Sequence, residues 1–304
     1  MQSRRRGWYS RAARLVAAAA GVSDPVQAME LFVTDLLKEA EQKTPPINLP
    51  LIASFRGVVC VKPSVMHDAG MLVPTPPGLT IFVNARDSQR RQNFTIAHET
   101  CHTFFPGTAE EVLPVHDKIV ASFAGPEAEV LCDIGGSRLL LPPEMLRPRL
   151  VHCVPSLSRL IELADEFEAS LEATAVACAS QDIWNCAVIF LEQKLKPSQQ
   201  PLKYQLVLPG MEDEFRLEPE LRISLACQPA SFPTYLPRHK SVDRHGPICS
   251  ALLADGIVSG TEVIHLQGRA WCFQVDALRA PYRKDEMVRD RVMAMLWPRQ
   301  ASMT

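Results

Sequence analysis

"NFTIAHETCHTFF", residues 93–105, carries His98, Glu99 and His102 in the spacing H-E-x-x-H. On a helix, residues four apart lie one above the other, so the two imidazoles can reach a single metal ion. Glu99 then sits beside that stripe, its carboxylate near the ion rather than on it, where a general base for the attacking water belongs. Phe94, Ala97, Cys101 and Phe104 recur at helical spacing on a different stripe and are expected to fix the helix against its core. The alternative is a partly exposed helix that carries two histidines by accident. A separate packing face and chemical face favour the metal site.

A catalytic zinc usually takes three protein ligands and leaves the fourth position to water, so a third ligand must come from elsewhere. The downstream candidates are Glu110, Glu111, His116, Asp117, Glu127, Glu129, Asp133 and His152. Glu110 and Glu111 follow the helix-breaking Pro106-Gly107 too closely to fold back easily. "PEAEVLCDIGG", residues 126–136, is the better source. On this second helix Val130, Leu131 and Ile134 make an apolar face, while Glu129 shares its stripe with Cys132, Asp133 and Gly136. Small residues at 132, 135 and 136 let it approach the histidine helix closely and bring Glu129 within ligand reach. Glu127 is turned about 200° from Glu129, so the two cannot serve one ion. Asp133 is either a hydrogen-bond partner that orients a ligand or a surface carboxylate. His152, a candidate oxyanion stabiliser, reads better as a structural histidine.

Outward from this pair, residues 10–43 predict two helices broken at "GVSDP", and "KTPPINLP" (43–50) marks a module boundary. "ASFRGVVCVKPS" (53–64) and "GLTIFVNA" (78–85) read as strands. The histidine helix is expected to start at Asp87 or Ser88 and stop at Pro106-Gly107, with a loop or short helix over 108–124. The second helix runs to Pro142-Pro143, and residues 156–182 predict two helices hinged near Ala169-Ser170. "WNCAVIFLEQKL" (184–195) reads as a strand and "KPSQQPLK" (196–203) as a linker. "YQLVLPG", "ISLACQP", "TEVIHLQG" and "AWCFQVDAL" then alternate with turns in a small α+β or mostly β module.

The 304 residues exceed what one core usually serves, and 47% apolar with 22% charged residues describe an ordinary globular protein. The net charge of −2 gives no reason to expect direct nucleic-acid binding. Nine cysteines, without a C-x-x-C pair, suggest reduced thiols and a cytoplasmic setting. Arg11 and Arg14 interrupt the alanine-rich amino terminus, which therefore reads as a surface helix rather than a secretion signal. No stretch approaches the roughly 20 apolar residues of a membrane span.

"SQRRQNFTIAHETCH" (88–102) followed by "EVLCDIGGSRLLLPPEML" (129–146) resembles the ImmA/IrrE-type zinc metallopeptidases. The family pattern is an active-site helix rich in Arg, Phe, Thr, Ala, His and Glu, then a helix with Glu, Asn, small residues and a Leu-Leu-Met-Pro ending. The resemblance covers roughly residues 45–190. It implies His98, His102 and Glu129 as zinc ligands, in agreement with the helix geometry, and Glu99 as catalytic base. Asp133 stands where the family usually has Asn, and "LLLP" (139–142) replaces the Met-containing ending. A His2Glu set does not choose sharply between zinc and manganese.

The implied fold class is α+β. An N-terminal helical segment (1–44) precedes a zincin-like metallopeptidase core (45–150), a helix-turn-helix-like segment (151–190) and a C-terminal α+β GAF-like sensor module (191–304). The implied function is a bacterial regulatory endopeptidase that cleaves a helix-turn-helix transcriptional repressor and releases stress-response, DNA-damage or mobile-element genes. The competing reading is a non-proteolytic regulator of the same fold that binds protein or DNA. Against DNA, "EASLEATAVACASQD" (168–182) offers phosphates no basic residue.

Overall fold

The computed structural model describes residues 7–105, 125–199, 218–280 and 291–299. The expectations for 108–124 and for "YQLVLPG", the Pro106-Gly107 stop, and the candidates Glu110, Glu111, His116 and Asp117 lie outside the described residues. The chain divides into two compact units, one of residues 2–149 with 161–177, the other of 150–160 with 178–304.

In the first unit, helices α1 (Arg11–Ala19) and α2 (Pro25–Glu39) form where two were expected. Ser10 caps α1 by accepting from the Ala13 N–H, and Asp24 caps α2 by accepting from Val26, with Pro25 at its first turn. Their buried faces carry Ala13, Val16 and Ala17, then Ala28, Met29, Val33, Leu36 and Leu37. A short helix α3 (Leu49–Ser54) leads into a three-stranded sheet of β1 (Val58–Ser64), β2 (Gly70–Thr75) and β3 (Gly78–Asn84). Its order is β1-β3-β2, with β1 parallel and β2 antiparallel to β3. Strand β2, unread in the sequence, holds Pro74 and stands at the edge of this sheet, where a missing N–H costs least.

Helix α4 (Gln89–His102) starts after Ser88, whose hydroxyl accepts from the Arg91 N–H, and so begins where expected. Helix α5 (Pro126–Leu140) opens with Pro126 at its first turn. Pro142-Pro143 ends it, but Pro143 also opens a further helix, α6 (Pro143–Val151), because proline's missing N–H is no loss there. The expected helical pair is α7 (Leu157–Glu166) and α8 (Leu171–Ser180), and Leu160, Leu163, Ala164 and Phe167 are all fully buried.

The second unit holds a five-stranded antiparallel sheet of β4 (Ala187–Lys194), β5 (Glu220–Cys227), β6 (Val258–Leu266), β7 (Arg269–Arg279) and β8 (Arg291–Pro298), with a single-turn helix α9 (Pro247–Ser250) before β6. The order is β5-β4-β8-β7-β6. Ala187, Ile189, Ile223, Phe232, Ile248, Phe273, Val275, Ala294 and Leu296 form its core. Among the described residues no helix is long and apolar enough to cross a membrane. The cysteines are free thiols, and Cys101, Cys132, Cys178, Cys186 and Cys227 are buried.

Candidate metal centre

Helices α4 and α5 cross at two glycines of α5. A Cβ built on Gly136 would fall 3.0 Å from the His98 backbone nitrogen and 3.1 Å from its Cα. One built on Gly135 would fall 2.7 Å from Met29 Cε and 2.8 Å from Cys101 Sγ. At Gly136 the two backbones therefore approach so closely that a Cβ would force its neighbour to shift, and at Gly135 a Cβ would meet two packed side chains, as the small residues of the sequence led one to expect. Cys101 is buried in this contact as a small spacer beside Ala97, while Phe104 is buried against the Phe32 ring. Phe94 departs from the expected packing stripe. It is half-buried beside the His98 ring, with the Arg91 guanidinium over its face, while Asn93, Ile96 and Thr100 take buried positions instead.

Side chains outside the motif hold α4 in place. At its C-terminal end Arg56 donates through Nε to Thr103 Oγ1 (3.1 Å) and through a terminal nitrogen to the Thr103 carbonyl (2.8 Å), and its guanidinium lies over the Phe104 ring. At the other end Gln92 donates to the carbonyls of Asn84 and Asp87, which ties the first turns to the end of β3. Arg90 pairs with Asp165, and Asn93 donates to the Glu168 carbonyl, so the end of α7 packs on the same helix.

The crossing brings three donors together. His98 Nε2 lies 3.2 Å from His102 Nε2 and 3.2 Å from Glu129 Oε2, and His102 Nε2 lies 3.6 Å from Glu129 Oε1. Zinc held tetrahedrally at about 2.0–2.1 Å from nitrogen and oxygen sets its donors about 3.3 Å apart, which the His98–His102 and His98–Glu129 Oε2 distances match, while His102 faces the other oxygen of the same carboxylate. The histidine side chains are 14% and 19% exposed and that of Glu129 is 52%, which leaves the set open to solvent on the carboxylate side. Cys132 is also near: its Sγ and one ring nitrogen from each histidine lie within 4.8 Å of one another. The Glu129 oxygens stand 3.2 and 3.6 Å from the two imidazoles, and the Cys132 sulfur is a fourth donor atom in the same neighbourhood.

Asp133 Oδ1 lies 3.0 Å from His98 Nδ1. With an ion on Nε2, this contact would hold the ring proton on Nδ1 and keep the ring turned toward the other donors. Burial, and then the neighbouring His98, push the His102 pKa down, which keeps that ring neutral as a ligand must be. Glu127, on the opposite side of α5, accepts from the Tyr9 and Ser10 backbone N–H groups and takes no part. Asp133→Ala is expected to weaken metal binding by about 10- to 100-fold, measured by competition with a chromogenic chelator. An unchanged affinity would mean that the contact does not orient His98.

Glu99 lies next to the three donors without joining them. It is 8% exposed and accepts a hydrogen bond from the Leu72 N–H of β2. A Cβ on Gly70, at the start of that strand, would fall 2.2 Å from Thr95 Cγ2 and 3.4 Å from Glu99 Oε1, so β2 is pressed against this face of α4. Burial first, and then the Glu129 carboxylate, raise the Glu99 pKa to about 7. Such a carboxylate can both accept and return a proton near neutrality. The contribution of β2 was missed in the sequence, as were those of Arg56 and Cys132. For Cys132 the signal was present, because it stands three residues after Glu129 on one helix.

Two adjoining helices that present an H-E-x-x-H stripe and a third carboxylate fit the core of a zincin-like metallopeptidase. Comparison with known proteins points the same way: residues 56–178 match the peptidase M78 family, described as an IrrE N-terminal-like domain, so this part of the chain is similar to the ImmA/IrrE type. Among curated proteins it is 29% identical over 106 residues to the radiation response metalloprotease IrrE of Deinococcus deserti, covering 35% of this chain and 38% of that protein. It is 27% identical over 106 residues to the radiation response metalloprotease IrrE of Deinococcus radiodurans, covering 35% and 32%. The match thus spans well under half of either relative. Among solved structures a Mycobacterium tuberculosis transcriptional regulator aligns with a TM-score of 0.50 at 11% identity, over 90% of this chain and 76% of that one, a likeness of fold alone. The family is one of metallopeptidases and implies a metal ion and a protein substrate.

Proposed function

We propose that this protein is a cytoplasmic zinc endopeptidase that cleaves a helix-turn-helix transcriptional repressor and so releases stress-response genes. The observation that carries the reading is the set of 3.2, 3.2 and 3.6 Å edges among His98, His102 and Glu129, with a buried carboxylate, Glu99, at its side. His98, His102 and Glu129 would hold the ion; zinc suits the set, and manganese is the other candidate. Bound there, the ion would polarise the scissile carbonyl and acidify the attacking water. Glu99 takes the proton of that water and delivers it to the departing amine, so one O–H and one C–N bond break as one C–O and one N–H form. Asp133 keeps His98 turned toward the ion while this happens.

The names of the two Deinococcus relatives support a place in stress response. Residues 191–304 are read as a GAF-like sensor module, a reading supported by the antiparallel sheet order β5-β4-β8-β7-β6. The test of the metal reading is zinc content by elemental analysis in wild type and Glu129→Ala. Near-stoichiometric zinc is expected in the wild type, with affinity at least about tenfold weaker in the variant. Equal zinc in both would remove Glu129 from the site.

A further inference from the structure

Glu129 is not the only acidic donor beside the histidine pair. Cys132 follows it by three residues on α5, so the helix turns both side chains toward α4. The thiol is fully buried where the carboxylate is half exposed, and its Sγ shares a 4.8 Å neighbourhood with a ring nitrogen of each histidine. We propose that Cys132 gives this centre a second donor set, His98–His102–Cys132, which shares both imidazoles with the carboxylate set and captures a soft, thiophilic ion such as cadmium. The inference rests on the metal reading above and extends it to which ions the centre accepts.

Ligand chemistry separates the two sets. Oxygen donors suit manganese and leave a thiol outside the coordination sphere, whereas a soft ion gains most from sulfur. With the metal–sulfur and metal–nitrogen bonds of zinc, about 2.3 and 2.0–2.1 Å, sulfur and nitrogen donors stand about 3.5 Å apart, and a larger ion such as cadmium sets them farther apart still. The sulfur and a ring nitrogen of each histidine lie within 4.8 Å of one another, so the sulfur reaches that spacing by a shift of at most about 1.3 Å. On binding, the S–H bond breaks, the sulfur–metal bond forms and the proton leaves to solvent, with no change of oxidation state. If Glu129 also stays on the ion, four protein donors complete a tetrahedron and no position remains for water. A soft ion thereby closes the centre that a harder one leaves open.

The experiment titrates the metal-stripped full-length chain with cadmium, reading the ultraviolet sulfur-to-cadmium charge-transfer band and the cadmium NMR shift, both of which report a thiolate ligand. The first equivalent is expected to produce the band in the wild type. Cys132→Ala and the isosteric Cys132→Ser are expected to lose it for that equivalent and to bind cadmium at least about tenfold more weakly. Cys101→Ala, which changes the neighbouring buried thiol, is expected to keep it. Manganese affinity, which uses only the carboxylate set, is expected to stay within about threefold of wild type in Cys132→Ser, showing that the site is still assembled. A first-equivalent band that survives in both Cys132 variants, or a wild type that binds cadmium and manganese without the band, overturns the assignment to Cys132. A wild type that binds none of zinc, manganese and cadmium overturns the metal reading itself.

Discussion

Glu99→Gln is expected to slow peptide-bond cleavage by about 10²- to 10⁴-fold while the chain keeps its full complement of metal. Both halves follow from where the residue sits. Glu99 stands beside His98, His102 and Glu129 without completing their triangle, so the amide takes nothing from the ion's donors. Its side chain is buried and accepts from the Leu72 N–H, and the amide oxygen of glutamine can accept the same bond, so β2 stays against α4. What disappears is a group that can take a proton. Burial and the Glu129 carboxylate set that group at a pKa of about 7, well placed for transfer in both directions. The measurement is the appearance of new peptide termini, by mass spectrometry, in a host proteome incubated with wild-type or variant protein, alongside metal content. Undiminished cutting by a metal-loaded variant would end the role of Glu99 as base.

The centre was more legible than its surroundings for a physical reason. Residues four apart on a helix share one face, so His98 and His102 stand out as a candidate pair by their spacing, and Gly135 and Gly136 by the absence of side chains where two helices touch. Strand β2 follows no such rule. "GMLVPT" (70–75) contains a proline and lies near two more, and its half-buried residues do not alternate cleanly, so what makes it a strand is pairing with β3, a tertiary fact. Strand β8 failed to appear for the opposite reason. Arg291–Leu296 are buried on both faces, which erases the alternation that marks a strand, and "VMAML" is built from residues that favour helices as much as strands. The role of Arg56 was hidden because it caps a helix 47 residues downstream in sequence. Asp133, left between two roles, makes a 3.0 Å contact with His98 that only the crossing of α4 and α5 creates.

That crossing carries the second large effect. Gly136→Leu is expected to destabilise the protein by about 3 kcal/mol or more and to abolish tight metal binding even in the fraction that stays folded. The added Cβ alone would fall 3.0 Å from the His98 nitrogen and 3.1 Å from its Cα, and these are backbone atoms of a packed helix that cannot rotate aside. Relief requires α5 to move away from α4. Glu129 rides on α5 and the imidazoles on α4, so any such movement lengthens the 3.2 and 3.6 Å edges that fit an ion. Gly125→Ser, at the N-cap of the same helix, serves as the comparison: among the described residues nothing lies within 4 Å of an added Cβ there, and the backbone is extended at φ 173°, open to any residue. Its stability is expected to stay within about 0.5 kcal/mol of wild type. Urea denaturation and zinc affinity, measured on both variants, separate the outcomes. A Gly136→Leu chain that holds zinc as tightly as wild type would show that the close approach of the two helices is not what assembles the three donors.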